Sequence, residues 1–230
     1  MVYKTVPLTE SQVGKYIDIN GDGIPEGIIF ADLTIGGAGE YGDRDAEHNG
    51  IYSIPAENNL KDYAVIGEYE DKINGKQEML TPVLDGEDRF YIMALKDFGD
   101  GMFTWYTSAY NKIEDYSTIT KPDFGAGKQN TINMIKKWNS AAYGRKSLYD
   151  IWNIVQNKVA EGWFVPSFAE WKTFGNAINL NYESVKNKGM ESDYWLSSMY
   201  NSYMAYYTYA NRMGHSDVSF HHHIRLAKTI

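Results

Sequence analysis

The sequence predicts an α+β protein. Segments rich in β-branched and aromatic residues dominate up to residue 120, helix-type apolar spacing runs through 131–180, and strand-type segments return from Asp193 to the end. No Pro- or Ser-rich linker and no internal repeat divides the 230 residues, so they read as a single domain, 1–230. Within it lie an acidic, loop-rich strand region over 1–120 and a region of helices and ligand-binding segment over 121–230. Hydrophobic residues at 43% and charged residues at 23% suit a globular chain long enough to bury a sizeable core.

The elements follow in order. In VGKYIDINGDGIPEGIIFADL two apolar runs flank a turn-rich centre, which predicts a hairpin. Asp18, Asn20 and Asp22 at alternate positions before Gly23 match the start of a calcium loop, but the twelfth position is Ile29 where a bidentate Glu belongs. Asp, Asn and Gly are independently the favoured turn residues, and a plain turn is the simpler reading. The Gly-rich stretch IGGAGEYGDRDAEHNGIYSIP reads as an extended surface loop, with His48 solvated on it. NLKDYAVIGEYED and DRFYIMALKDF are strand-like, and MFTWYTSAYNKIEDY is a strand or short helix whose Trp105 and Tyr106 belong to the core.

Three helices are predicted next. In TINMIKKWNSAAYG the residues Ile132, Ile135 and Trp138 share a face, and Gly144 ends the helix. Ser147 opens a second, with Leu148, Ile151, Trp152, Val155 and Val159 on its stripe and Gly162 as terminator. WFVP is a short buried strand, and Ser167 with Glu170 forms a capping box for a third helix. YESVKNKG is a short helical or loop segment; DYWLSS, MAYYTYA and VSFHHHIRLAKTI are strands.

Composition excludes several chemistries. With no Cys there is no disulfide, thiolate metal site or cysteine nucleophile. Nine Lys/Arg face twenty-two Asp/Glu up to Thr120, and thirteen face eight afterwards, too few and too scattered to track phosphates. Nucleic acid is therefore not an expected partner. No apolar run approaches bilayer length, so membrane insertion is not expected either. The opening MVYKTVPLTESQVGKY lacks the layout of a cleaved secretory signal.

Residues 199–223 are the anomaly. They contain five Tyr, four His, three Ser, two Asn, one Asp and one Phe, but no Lys, Glu or Pro. Tyr gives large contact area at small entropic cost, while Ser and Asn give adaptable hydrogen bonds, the chemistry of a paratope. The candidate ligand-binding residues are Tyr200, Asn201, Ser202, Tyr203, Tyr207, Tyr209, Asn211, Arg212, His215, Ser216, Asp217, Ser219, Phe220, His221 and His223. Strand alternation predicts Tyr207, Tyr209 and Asn211 on one face and Tyr206, Thr208 and Ala210 on the other. A zinc site from His215, Asp217, His221 and His223 is geometrically conceivable, since strand alternation lets only His221 and His223 of the three adjacent His share a ligand set. A triad from Ser216 or Ser219 with Asp217 lacks any nucleophile elbow or oxyanion hole. Neither a cofactor, a metal nor a catalytic residue is expected.

Motif order carries a resemblance. Gly162, Trp163, Pro166, Ser167, Glu170 and Trp171, then Tyr194, Trp195, Ser197 and Ser198, then Ile224, Arg225, Leu226 and Ala227 resemble the C-type lectin-fold variable proteins of diversity-generating retroelements. The likeness covers about the last hundred residues, and GKYIDINGDG is similar to that family's opening strand. It implies a C-type lectin-like fold: a small twisted antiparallel sheet flanked by helices, its N- and C-terminal strands paired. It implies non-catalytic recognition of a protein or other macromolecule, at a phage tail tip or bacterial cell surface. It also implies that template AAC codons are randomised at adenine, giving Asn, Tyr, His, Asp, Ser and Phe among others, but never Lys, Glu, Gln, Met or Trp. Sixteen of the twenty-five residues in 199–223 are of those six types, and Met199, Met204 and Met213 would be fixed. The alternative is a structural tail or surface subunit that self-associates through its Tyr patch.

Overall fold

The computed structural model describes residues 4–41, 50–107, 116–140 and 145–230. Its strands in the first half are β1 (Tyr16–Ile17), β2 (Gly27–Asp32), β3 (Gly37–Tyr41), β4 (Gly50–Ile54), β5 (Tyr63–Asp71), β6 (Gly75–Pro82), β7 (Phe90–Ala94) and β8 (Phe103–Thr104). Then come helices α1 (Gly127–Asn139), α2 (Ile151–Ile154) and α3 (Gln156–Ala160), strand β9 (Trp163–Phe164) and helix α4 (Phe168–Ala177). The chain closes with β10 (Asp193–Asn201), β11 (Met204–Tyr209), β12 (Arg212–Asp217), β13 (His221–His222) and β14 (Ala227–Thr229).

The expected small antiparallel sheet flanked by helices is overturned. Among the described residues strand accounts for 36% and helix for 15%. The main sheet has seven strands in the order β5-β6-β1-β2-β7-β14-β9, and it is mixed, because β1 runs parallel to β6. The terminal strands share this sheet without pairing, since β2 and β7 stand between β1 and β14. Much of the difference comes from the β5–β6 hairpin, which widens the sheet beyond β1. Its Asn74-Gly75 turn is a hairpin signal that strand propensity alone does not reveal.

Three apolar layers hold the fold. Alternate residues of β2 point to opposite faces: Ile28 and Phe30 join a cluster with Phe168, Trp171 and Phe174 of α4, whereas Ile29 packs with Leu80, Phe90 and Ile92 on the other side. The first cluster continues into Tyr194, Leu196, Ala210 and Met213 of the three-stranded sheet β10-β11-β12. That sheet's opposite face contributes Trp195, Met199 and Ala205 to a third cluster with Trp105, Trp152 and Met134. The segment 199–223 is thus threaded through a sheet with core on both faces. Simple alternation of core and solvent does not hold there.

Several local expectations change for the same reason. Residues 37–41 and 50–54 form a β3–β4 hairpin instead of a loop; His48 lies outside the described residues. The predicted segment 102–116 keeps only β8 within the description, with Trp105 and Tyr106 buried as expected, and 108–115 lie outside it. In α1 the buried residues are Gly127, Asn130, Thr131 and Met134, while Ile132 is exposed; Gly144 lies outside the described residues. The polar stripe is satisfied: Asn130 donates to Lys121 O at 2.7 Å and to Ser197 Oγ at 3.1 Å. The second predicted helix is split at Val155, and Leu148 is 77% exposed. Asp150, not Ser147, organises its start, accepting from Thr107 N at 2.7 Å and Trp138 Nε1 at 3.0 Å.

Candidate functional site

The sheet β10-β11-β12 positions nearly all candidate residues, and buried motif residues anchor it from behind. Tyr194, Trp195, Ser197 and Ser198 are all fully buried. Trp195 Nε1 donates to Phe103 O at 2.7 Å, and Ser198 Oγ donates to Lys121 O at 2.8 Å. Arg225, 2% exposed, is held by Asp97 through Nε at 2.7 Å and lies over the Tyr194 ring. The capping box forms as the sequence predicts, with Ser167 Oγ accepting from Glu170 N and Ser167 N donating to Glu170 at 2.6 Å. The Glu170 carboxylate also takes Gly125 N at 3.1 Å, and a Cβ on Gly127 would collide with it. Burial pushes that carboxyl up to about 7 against these donors.

Cross-strand register sorts the candidates onto two faces. Tyr206 lies opposite His215, and Tyr207 opposite Gly214. On the α4 side, Tyr200 stacks on His215 at 4.3 Å and meets Tyr206 at 5.5 Å, which in turn packs on Phe168 at 4.9 Å. On the other side Tyr207 stacks on His222 at 4.6 Å, with the rings 10° from parallel. His222 Nδ1 sits 2.6 Å from Asp193 Oδ2, and its ring meets Trp195 edge-on at 4.4 Å. Asp193 is pushed up by partial burial, but the hydrogen bonds from His222 and Ser192 outweigh this and leave its carboxyl below the ordinary value.

Of the predicted common face of Tyr207, Tyr209 and Asn211, the first two share a side of β11, whose register with β12 is unbroken, and Asn211 does not join them. Tyr207 is half-buried against His222, and Tyr209, 38% exposed, meets Tyr182 at 5.3 Å. Asn211 leaves the sheet altogether: it fills the space that Gly175 leaves by having no side chain, so a Cβ there would strike it. The turn before it holds Ala210 at φ 54°, a left-handed conformation fixed by Ala210 N donating to Ser192 O at 2.6 Å and by Trp171 Nε1 donating to Ala210 O at 3.2 Å. Arg212 lies over Tyr182, with its guanidinium carbon 5.5 Å from the ring centre.

The most open candidates lie at the other end of the sheet. Asn201 Oδ1 accepts from Tyr203 N and Met204 N, both at 3.0 Å, and closes the β10–β11 turn around Ser202. Asp217 Oδ1 accepts from Ser219 N at 2.9 Å and Ser219 Oγ at 2.6 Å. Val218 N donates to Tyr203 O at 3.1 Å, which ties the two turns together. Tyr203 and Phe220 stand out from these turns, 54% and 59% exposed, with His221 exposed beside Phe220. Ser216 and His223 are half-buried, and His223 Nδ1 lies 3.3 Å from Asp193 O.

Sorting 199–223 by burial gives a sharper division than either face. The buried residues are Met199, Ala205, Thr208, Ala210, Met213 and Val218. None of the sixteen Tyr, His, Ser, Asn, Asp and Phe residues is among them. Sequence reasoning missed Tyr206 and His222, which carry the ring contacts on the two faces; register alone would have paired Tyr206 with His215.

The metal and triad readings find different geometry. His215 is stacked on Tyr200, His223 is near Asp193, and no three His, Cys, Asp or Glu side chains gather among the described residues. Asp217 and Ser219 close a turn on each other. At the N-terminal turn, Asp18 spends both oxygens on backbone N–H groups, taking Gly21 N and Gly23 N at 2.6 Å. That is how an Asx-type turn is built.

Comparison with protein-family models and with curated proteins finds no match. Among solved structures the chain is similar to a fimbrial protein from Bacteroides ovatus ATCC 8483, with 15% identity, a TM-score of 0.43, and coverage of 62% of this chain and 36% of that one. The chain thus spans about a third of that protein's length.

Proposed function

We propose that this protein is a non-catalytic recognition protein whose ligand surface is the segment 199–223, centred on the exposed Tyr203, Phe220 and His221. One observation carries the reading. Residues of the six types cluster in this segment, and every one of them keeps solvent access while other residue types fill its core positions. Exchange of a side chain that no core contact depends on, as at Tyr203, Phe220 and His221, costs little, so those positions can vary while the fold stays constant. This supports diversification by a retroelement acting on adenine codons, independently of the fold that the resemblance implied. Two large aromatics on tied turns suit the desolvated centre of a protein–protein contact. The reading places the protein on a cell or virion surface.

Labelled protein is to be adsorbed to a panel of intact bacterial cells, and compared with Tyr203→Ala/Phe220→Ala. The reading requires loss of adsorption in the double variant at an unchanged melting temperature. Equal adsorption by both proteins would sink it. A concentration-dependent mass that the same substitutions abolish favours the self-associating subunit instead. In the source DNA, a near-copy of the segment differing at adenines beside a reverse transcriptase is the expected neighbour.

A further inference from the structure

Away from the 199–223 surface, a cavity of about 690 Å³ opens between the end of β7, the β5–β6 turn and the α3–β9 corner. That volume is within the usual range for a small-molecule site. Its apolar wall is made by Tyr69, Ile73, Leu95, Phe98, Trp163 and Leu226. At the rim Ile24 is 68% exposed, an apolar side chain left in water beside an apolar hollow.

The charged groups around this cavity are unequally committed. Asp97 is held by Arg225, and Asp71 accepts from Tyr16 OH at 2.6 Å and Ile73 N at 2.8 Å. Glu161 is paired with Lys158 at 2.6 Å, and Glu26 accepts Ile19 N at 2.6 Å. The carboxylates are thus all engaged by protein donors. Lys72 and Lys96 have no hydrogen-bond or ion-pair partner among the described residues, and both line the same cavity. Lys188 donates to Ile73 O at 2.7 Å and to no carboxylate, and partial burial lowers its amine from the ordinary value. Asp97 and Glu161 are balanced by Arg225 and Lys158, while Asp71 and Glu26 take only neutral donors and keep their charge, Asp71 acting on Lys188; Lys72, Lys96 and Lys188 against these two carboxylates leave an excess of one positive charge.

We propose that this cavity is a binding site for an amphipathic carboxylate, a fatty or aromatic acid, with its apolar body on Leu95, Phe98 and Trp163 and its charge between Lys72, Lys96 and Lys188. The site is separate from the recognition surface and does not rest on it.

Calorimetric titration of the full chain with decanoate and with decanol tests this. Decanoate should bind, and decanol should bind at least about tenfold more weakly, since the alcohol brings no charge to the lysines. Lys72→Glu/Lys96→Glu should weaken decanoate by about tenfold or more and leave decanol unchanged. Ala94→Phe, which fills the hollow, should remove both; if it fails to fold, the exposed lysine pair still decides between binding and no binding. Tyr203→Ala/Phe220→Ala should leave decanoate affinity unchanged, so failure here and failure of the recognition reading are separate results. Equal affinity for acid and alcohol, an unchanged affinity in the lysine double variant, or no heat with decanoate would each overturn the proposal.

Discussion

Substitution costs within 199–223 should rise with burial, from the side chains on the end turns to those at the core positions. Met213 is 1% exposed and packs in the cluster shared by the main sheet and α4. Truncating such a side chain to Ala leaves a cavity and costs about 2–5 kcal/mol. Thr208 is fully buried, with Oγ1 donating to Ala210 O at 2.6 Å, so Thr208→Val removes a bond that helps hold the left-handed turn, at about 1–3 kcal/mol. Tyr203→Ala and Phe220→Ala remove side chains that are more than half exposed, and each should cost under about 0.5 kcal/mol. Tyr207 falls between: it is half-buried and stacked on His222, so partial burial plus the ring contact gives about 2 kcal/mol for Tyr207→Ala. Urea midpoints at constant m-value measure these differences. A library randomised across the segment and selected for folding alone extends the test, with survivors most varied at Tyr203, Phe220 and His221 and constant at the six buried positions. If Tyr203→Ala or Phe220→Ala lowers stability as much as Met213→Ala, exchange at this surface is not free and the argument for a diversified site collapses.

Three further outcomes follow from the buried charges. The Glu170 carboxyl sits above its unfolded value, near 7, so its contribution to stability is full below about pH 4.5 and is lost as pH rises toward 7; the change is about 3 kcal/mol, and Glu170→Gln should flatten that part of a stability–pH curve. Asp193 is shifted the other way, so its contribution is present above the ordinary carboxylate pKa and fades as pH falls through its lowered value; Asp193→Asn should remove this acid sensitivity and disorder the His222–Tyr207 stack, read from the His222 ring resonances. Arg89 is bound to Asp32 through Nε at 3.1 Å and Nη2 at 3.0 Å, with both side chains nearly inaccessible to water. Asp32→Asn should cost about 3–5 kcal/mol in guanidinium unfolding, while Asp32→Leu/Arg89→Met should recover much of it; an additive double variant would count against a direct pair.

Local signals in the sequence transferred well where a few neighbouring residues decide the outcome. Ser167 and Glu170 form their capping box because both partners lie within one helical turn, and Gly162 ends its segment at φ 87° because only local backbone geometry is at stake. The β1–β2 hairpin follows from its turn residues in the same way. Sheet size did not transfer, because the parallel pairing of β1 with β6 joins residues more than sixty positions apart and leaves no periodic trace. Helix burial was misread where polar residues face inward: Asn130 and Thr131 are core because Ser197, Lys121 and Val165 receive their hydrogen bonds, and no apolar stripe announces that.

Composition picked out sixteen residues that all keep solvent access, whereas periodicity did not arrange them. Alternation assumes one wet and one dry face, and here β11 has Ala205 in one cluster and Ala210, just past its end, in another, so both faces are dry at their centres. Solvent access then depends on distance from those centres: Tyr206 and Tyr207 close against the clusters, while Tyr203 and Phe220 project from the end turns. Asn211 goes further and enters the gap at Gly175, which makes it a contact between the segment and α4. A side chain that must fit that gap is more constrained than its codon class suggests. Among the sixteen positions, Asn211 should therefore tolerate exchange least, with larger residues there displacing the β11–β12 turn from α4 and lowering the melting temperature where Tyr203 and Phe220 variants leave it unchanged.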